Sequence, residues 1–170
     1  AQFNSASVTN GGTLQGTHSL TATGAQLSNQ QSGMLLSGGA LELHHTTLNN
    51  AGLLQGNTLN LATGEWINTG NALGETGVTA AVTGALTNSG KVLSQQAVDV
   101  QAGSTDNRGQ LLAKVLTLRG DLQNSGLLQG SGTLAWSGDT FANQTQGQVT
   151  GGETLTLSGK TLSNAGSLQG

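Results

Sequence analysis

Residues 50–70 read NAGLLQGNTLNLATGEWINTG, and residues 124–147 read NSGLLQGSGTLAWSGDTFANQTQG. The shared phrase N-x-G-L-L-Q-G returns once more, worn to NAGSLQG, at residues 164–170. Working outward from it, an Asn marks the same point of a repeat along the whole chain: Asn10, Asn29, Asn50, Asn68, Asn88, Asn107, Asn124, Asn143 and Asn164, at intervals of 17 to 21 residues. A Gly follows two residues later in most repeats (Gly12, Gly52, Gly70, Gly90, Gly109, Gly126, Gly166) and four later in two (Gly33, Gly147). Two residues beyond the Gly stands an apolar or small residue: Leu14, Leu35, Leu54, Ala72, Val92, Leu111, Leu128, Val149 or Leu168. An alternating pair follows, such as Leu41/Leu43, Leu59/Leu61, Val98/Val100, Leu116/Leu118, Leu134/Trp136 or Leu155/Leu157. One more apolar residue precedes the next Asn by two positions, with Thr105 as the exception.

Within each segment the period is two, the period of a strand, because successive side chains point to opposite faces. Three short strands in ~20 residues make one coil of a solenoid whose coils stack at the ~4.8 Å strand spacing. The predicted fold is therefore all-β: a parallel β-helix of about eight to nine coils of about 19–20 residues, forming one repeat segment over residues 1–170. Leucine-rich repeats share the period but need a helical side, and no 3.6-residue pattern is present; propeller blades need about 40 residues. Stacked at one corner, the nine Asn amides are expected to form a ladder, with Gly and Asn supplying positive-φ corners. Ala1 and Phe3 occupy the pair positions of a coil whose beginning is missing, and Gly170 follows the first strand of a new coil. The expectation is a segment cut from a longer rod at both ends.

Composition narrows the function. The 170 residues carry a net charge of −3 and no Cys, Pro or Tyr. No basic field is present to hold nucleic acid, no apolar run reaches the ~18 residues of a membrane span, and disulfide or thiol chemistry is excluded. Parallel β-helices host polysaccharide lyases and glycosidases, so the carboxylates bear on the reading. Glu42 and Asp99 share one outward position and Glu65 and Asp121 another, each pair three coils apart, or ~14 Å at one strand spacing per coil. A glycosidase pair stands ~5–9.5 Å apart. A carbohydrate-active β-helix is thus the alternative, not the leading reading. Adjacent His44 and His45 point to opposite faces and His18 lies elsewhere in its coil, so neither a metal nor another cofactor is expected.

Three surface features remain. Arg119-Gly120-Asp121 spells RGD, an integrin-type ligand when shown on a loop, and falls at a corner. Asn143 opens the sequon NQT, which its ladder position explains. Leu73, Leu93 and Leu112 follow the inward residue in three successive coils. Strict alternation would stack them outward as an apolar stripe of the kind that marks interaction sites. The preferred reading turns them inward, because Ala72 and Val92 leave space. From Gly70 to Asn107 the inward residues are mostly Ala and Val. At ~0.8 kcal/mol per missing methylene, these coils are expected to be the rod's weakest, unless the leucines fill them.

The pattern L-x-N-x-G-x-L-x-G followed by L-x-L, recurring over essentially the whole chain, resembles the filamentous haemagglutinin repeat. These repeats form the shafts of exoproteins exported by two-partner secretion, including filamentous adhesins and effectors of contact-dependent growth inhibition. The resemblance implies a right-handed parallel β-helix and secretion to the surface of a Gram-negative bacterium. It also implies an outer-membrane transporter as export partner and a receptor on a host or neighbouring cell. The Asn-Pro motif of the family's secretion domain and the VENN marker that precedes its toxin domains are both absent. The expected role is non-catalytic shaft.

Overall fold

The computed structural model describes residues 1–170. It contains 17 strands and no helix, and all strand pairings are parallel. Together they form a β-solenoid of about nine turns. Each coil contributes to three faces. The first begins after the Asn–Gly corner, the second carries the alternating pair, and the third ends on the next Asn. In the middle of the rod some strands run through the corners without a break, as in Leu53–Asn68 and Asn71–Asn88.

Register between coils follows the sequence repeat residue for residue. On the first face Leu14, Leu35, Leu54, Ala72, Val92, Leu111, Leu128, Val149 and Leu168 form one column. On the second, Leu41, Leu59, Val78, Val98, Leu116, Leu134 and Leu155 form another. A slip of one residue would turn both columns to solvent, so burial itself pins the register. The inward side chains merge into a single core cluster of 30 buried residues. Thr105 takes the inward place on the third face, buried between Leu86 and Leu122 in register. Trp136 and Phe141 meet edge to face inside a late coil, with ring centroids 5.2 Å apart.

The core also has a column that the repeat pattern does not announce. On the second face the alternation continues one step past the pair, to Gly24, His45, Thr63, Val82 and Ala102, all in register. Val82 and Ala102 are buried and add apolar volume to the Ala- and Val-rich coils, so their deficit is smaller than the pair positions suggest.

The corners depart from expectation. No non-glycine residue has positive φ, and only Gly120, at φ 108°, does so among the glycines. The corner glycines are required by crowding between coils instead. A Cβ on Gly52, Gly70, Gly90, Gly109 or Gly126 would overlap the carbonyl oxygen of the corner glycine one coil below. Gly12, with no coil beneath it, has nothing within 4 Å of that position.

Truncating an inward leucine tests the core assignment. Leu54 and Leu128 are fully buried, and Leu→Ala at either should cost ~2–5 kcal/mol. Ala at outward Thr117 or Gln129 should change stability by no more than ~0.5 kcal/mol. Urea unfolding measures both; equal losses at the two kinds of site would overturn the assignment.

Candidate functional site

The most regular constellation is the asparagine ladder. Each amide Nδ2 donates to the Oδ1 of the Asn one coil above, from Asn10 to Asn29 through to Asn143 to Asn164, at 2.8–2.9 Å. The same Nδ2 also lies within reach of two backbone carbonyls. For Asn50 these are Gly52 in its own coil, at 3.2 Å, and Asn71 in the next, at 3.0 Å. The side chains from Asn10 to Asn143 are buried. Their polar atoms are satisfied within the column, which leaves no free valence for a ligand. The sequon Asn143 is one of these rungs, 2 % exposed, and its amide is bonded to Asn164, Gly147 and Ser167.

Arg119 and Asp121 flank the rod's one left-handed residue. Only glycine fits there, because a Cβ would strike the carbonyl of Ala102, and the Gly120 carbonyl accepts the Trp136 indole N–H at 2.7 Å. The Arg119 guanidinium pairs with Asp99 in the coil below at 3.3 Å, while Asp121 accepts the Thr140 amide N–H at 3.2 Å. Both charged side chains are exposed, yet each is tied to a neighbouring coil. The tripeptide's geometry is that of the solenoid corner, not of a projecting loop.

Leu73, Leu93 and Leu112 face outward. The register Leu73 to Leu93 to Leu112 is unbroken, and the residues preceding them, Ala72, Val92 and Leu111, fill the inward column with no exposure. The inward turn preferred from the sequence does not occur, since reversing one position would break the pairing of the coils on both sides. The leucines are half-buried against one another. Leu36 stands in the same row, two coils below Leu73, and Met34, Leu53 and Leu127 stand in the adjacent outward row. Together they draw an apolar ridge across six coils, and Lys91 is the sole charge within these two rows, with Glu75 and Lys114 exposed two residues beyond Leu73 and Leu112. The extension was legible as the same outward positions in neighbouring repeats.

The carboxylates stay dispersed. Between Glu42 and Asp99 the register interposes Asn60 and Thr79, and Asp121 is in register with Ser104 and Ala85, which separate it from the coil of Glu65. No group of three or more His, Asp or Glu side chains comes together with metal-binding geometry. A polar cleft of about 580 Å³ runs along the Asn–Gly corner, floored by Gly70, Gly90, Gly109 and Gly126 and edged by Lys91 and Arg108. Arg108 is already paired with Asp106 at 2.9 Å, and no carboxylate lines the cleft, so it lacks the acid–base pair of a hydrolase.

His18 and His44 are exposed, whereas His45 is 3 % exposed and neither of its ring nitrogens has a hydrogen-bond partner. Loss of solvent, and secondarily the neighbouring His44, hold its pKa below the ordinary 6.5. Thr63 Oγ1 and Trp66 Nε1, in the next coil, are likewise buried and unpartnered. His45 and Thr63 lie on the extra inward column and could have been found by extending the alternation two residues past Leu43 and Leu61.

Comparison with known proteins agrees with this geometry. The haemagglutinin repeat family matches residues 1–55, 44–90 and 72–169, which together span nearly the whole chain. Curated relatives include a "tRNA nuclease CdiA" of Escherichia coli (strain STEC_O31), 39 % identical over 71 % of the chain and 4 % of the relative. A second "tRNA nuclease CdiA", of Escherichia coli O6:K15:H31 (strain 536 / UPEC), is 36 % identical over 89 % of the chain and 5 % of the relative. A "Deoxyribonuclease CdiA" of Dickeya dadantii (strain 3937) is 36 % identical over 97 % of the chain and 6 % of the relative. The chain thus corresponds to about one twentieth of the length of these proteins. No solved structure matches it significantly. With the repeat matched from end to end and its corner, columns and ladder in place, the chain belongs to the haemagglutinin repeat family.

Proposed function

We propose that this chain is a stretch of non-catalytic shaft in a large exoprotein of the contact-dependent growth inhibition class, secreted to the cell surface of a Gram-negative bacterium through an outer-membrane transporter. The uninterrupted asparagine ladder carries the reading. It locks successive coils at one spacing and so makes a rod rather than a container; nine coils at ~4.8 Å give a rise of ~40 Å. The dispersed carboxylates support it against a carbohydrate-active enzyme. The CdiA names of the relatives favour toxin presentation over simple adhesion. The apolar ridge through Leu73, Leu93 and Leu112 is the surface best suited to contact with a receptor or another part of the exoprotein, because little charge need be desolvated there.

In-register deletion tests the shaft role in the full-length exoprotein. Removing residues 51–88 joins Asn50 to Ser89 and takes out two whole coils. Export and inhibition of target cells are expected to persist, with reach shortened by ~10 Å. Normal surface display with all inhibition lost would show that the segment holds a specific site. Turnover of any polysaccharide by the isolated chain, abolished by Glu42→Gln or Asp99→Asn, would establish the enzymatic alternative. Replacing Leu73, Leu93 and Leu112 by Gln, the residue already present in the same row at Gln55 and Gln129, tests the ridge without disturbing the coil.

A further inference from the structure

We propose that the coil boundary at His45 is an acid-labile joint, a defined place where the rod opens on mild acidification while the coils beyond it stay folded. The argument begins with position. His45 occupies an inward column whose other members are Gly24, Thr63, Val82 and Ala102. A neutral imidazole has one donor and one acceptor to satisfy, and here both nitrogens are buried without a partner. Protonation would turn the ring into two unsatisfied donors carrying a charge, in an interior that supplies no counter-charge.

Every element packed against the ring bears this out. On its own strand, Ala40–Asn50, the ionisable residues are Glu42 and His44, both on the outward side of the pleat. The strand below, Ser19–Asn29, has no ionisable residue. The strand above, Leu53–Asn68, has only Glu65, which is exposed on the outer side of the third face. His44 adds repulsion, not relief. The same place is already under-satisfied, since Thr63 Oγ1 and Trp66 Nε1 lie buried and unpartnered one coil higher. Elsewhere in the rod the buried Asn side chains and the Trp136 indole are all bonded.

Linkage gives the direction and size. The folded ring has its pKa lowered from the ordinary 6.5, so the open state binds the proton more readily. Stability at this site is complete above pH ~6.5 and falls as the pH drops below it, until the folded ring itself protonates. One pH unit below the open-state pKa, the opening equilibrium rises about tenfold as long as the closed form stays neutral.

Hydrogen exchange of the whole chain at pH 7.5 and 5.5 tests the joint. Protection in residues 40–68 is read relative to residues 111–136, which cancels the pH dependence of chemical exchange. Wild type should lose relative protection in 40–68 at pH 5.5, by up to about tenfold. His45→Val, matched to Val82 in the same column, and His45→Asn, which keeps polarity without titrating in this range, should both abolish the change, while His44→Ala should retain most of it. Two results would overturn the proposal: no relative loss in wild type, or the same loss in both His45 variants. A loss spread evenly over the rod counts as the first of these, because the titrating groups would then not be local.

Discussion

Replacing Asn88 with leucine is expected to destabilise the rod by about 2–5 kcal/mol, although the two side chains have similar volume. Asn88 accepts from Asn68 at 2.8 Å and donates to Asn107 at 2.9 Å. Its Nδ2 also contacts the carbonyls of Gly90 and Gln110. Leucine would leave the Asn107 oxygen without its donor and the Asn68 amide with only its two longer contacts, to Gly70 and Lys91 at 3.3 Å, in a fully buried column. Each buried polar group left unpaired costs ~1–3 kcal/mol, more than a hydrogen bond contributes on balance when both partners are present. The effect should be graded along the ladder. Asn164 is exposed and has Asn143 as its only ladder partner, so water replaces what leucine removes there and the loss should be well under half that at position 88. Asn49, outward and exposed beside the ladder, should tolerate leucine within ~0.5 kcal/mol. Urea unfolding of the three variants checks the series; equal losses at 88 and 164 would mean that the column is decoration on a fold held by leucines alone.

The ladder and the leucine columns were legible in the sequence because one residue type recurs at one place in every coil. Asn holds its position without substitution since it needs a donor and an acceptor on the same planar group, pointing up and down the rod. The inward column through His45 and Thr63 was harder to read, because it shows only when the alternation is carried past the pair and its members are Gly, His, Thr, Val and Ala. What they share is a small space at a corner, not hydrophobicity, and a search for apolar periodicity passes over them. The glycines were recognised as necessary, but for a different reason. Sequence alone shows that a side chain is absent, not that the obstacle is the carbonyl of the coil beneath, and positive φ accounts for Gly120 alone. Leu73, Leu93 and Leu112 were expected to follow volume into the core; pairing register with the coils on either side held them out. Volume favours the inward turn by a few methylenes, whereas a flip would cost several ladder hydrogen bonds per coil.

The same glycines give the sharpest steric prediction. Gly90→Ala adds a single methyl group at an outer corner and should still destabilise by ~3 kcal/mol or more, at the upper end of the overpacking range. The methyl would overlap the carbonyl oxygen of Gly70, with the backbone of Thr69 pressed beside it. Neither can retreat as a flexible side chain would. The Gly70 carbonyl is fixed by the Lys91 amide at 2.9 Å and by Asn68 Nδ2 at 3.3 Å, while the Gly90 amide itself donates to Asn68 at 3.1 Å. Relief requires the two coils to separate at this corner, which lengthens the ladder bond between Asn68 and Asn88 and lifts Val92 from Ala72 beneath it. Gly12→Ala is the internal control: the same motif position and the same added methyl, with nothing within 4 Å. It should leave the urea midpoint unchanged or raise it slightly, since alanine restricts the unfolded chain more than glycine does. If both substitutions were tolerated, the coils would have to be more loosely stacked at the corner than the ladder distances allow. If both were damaging, the glycines would serve backbone conformation after all, and crowding between coils would not be why they recur.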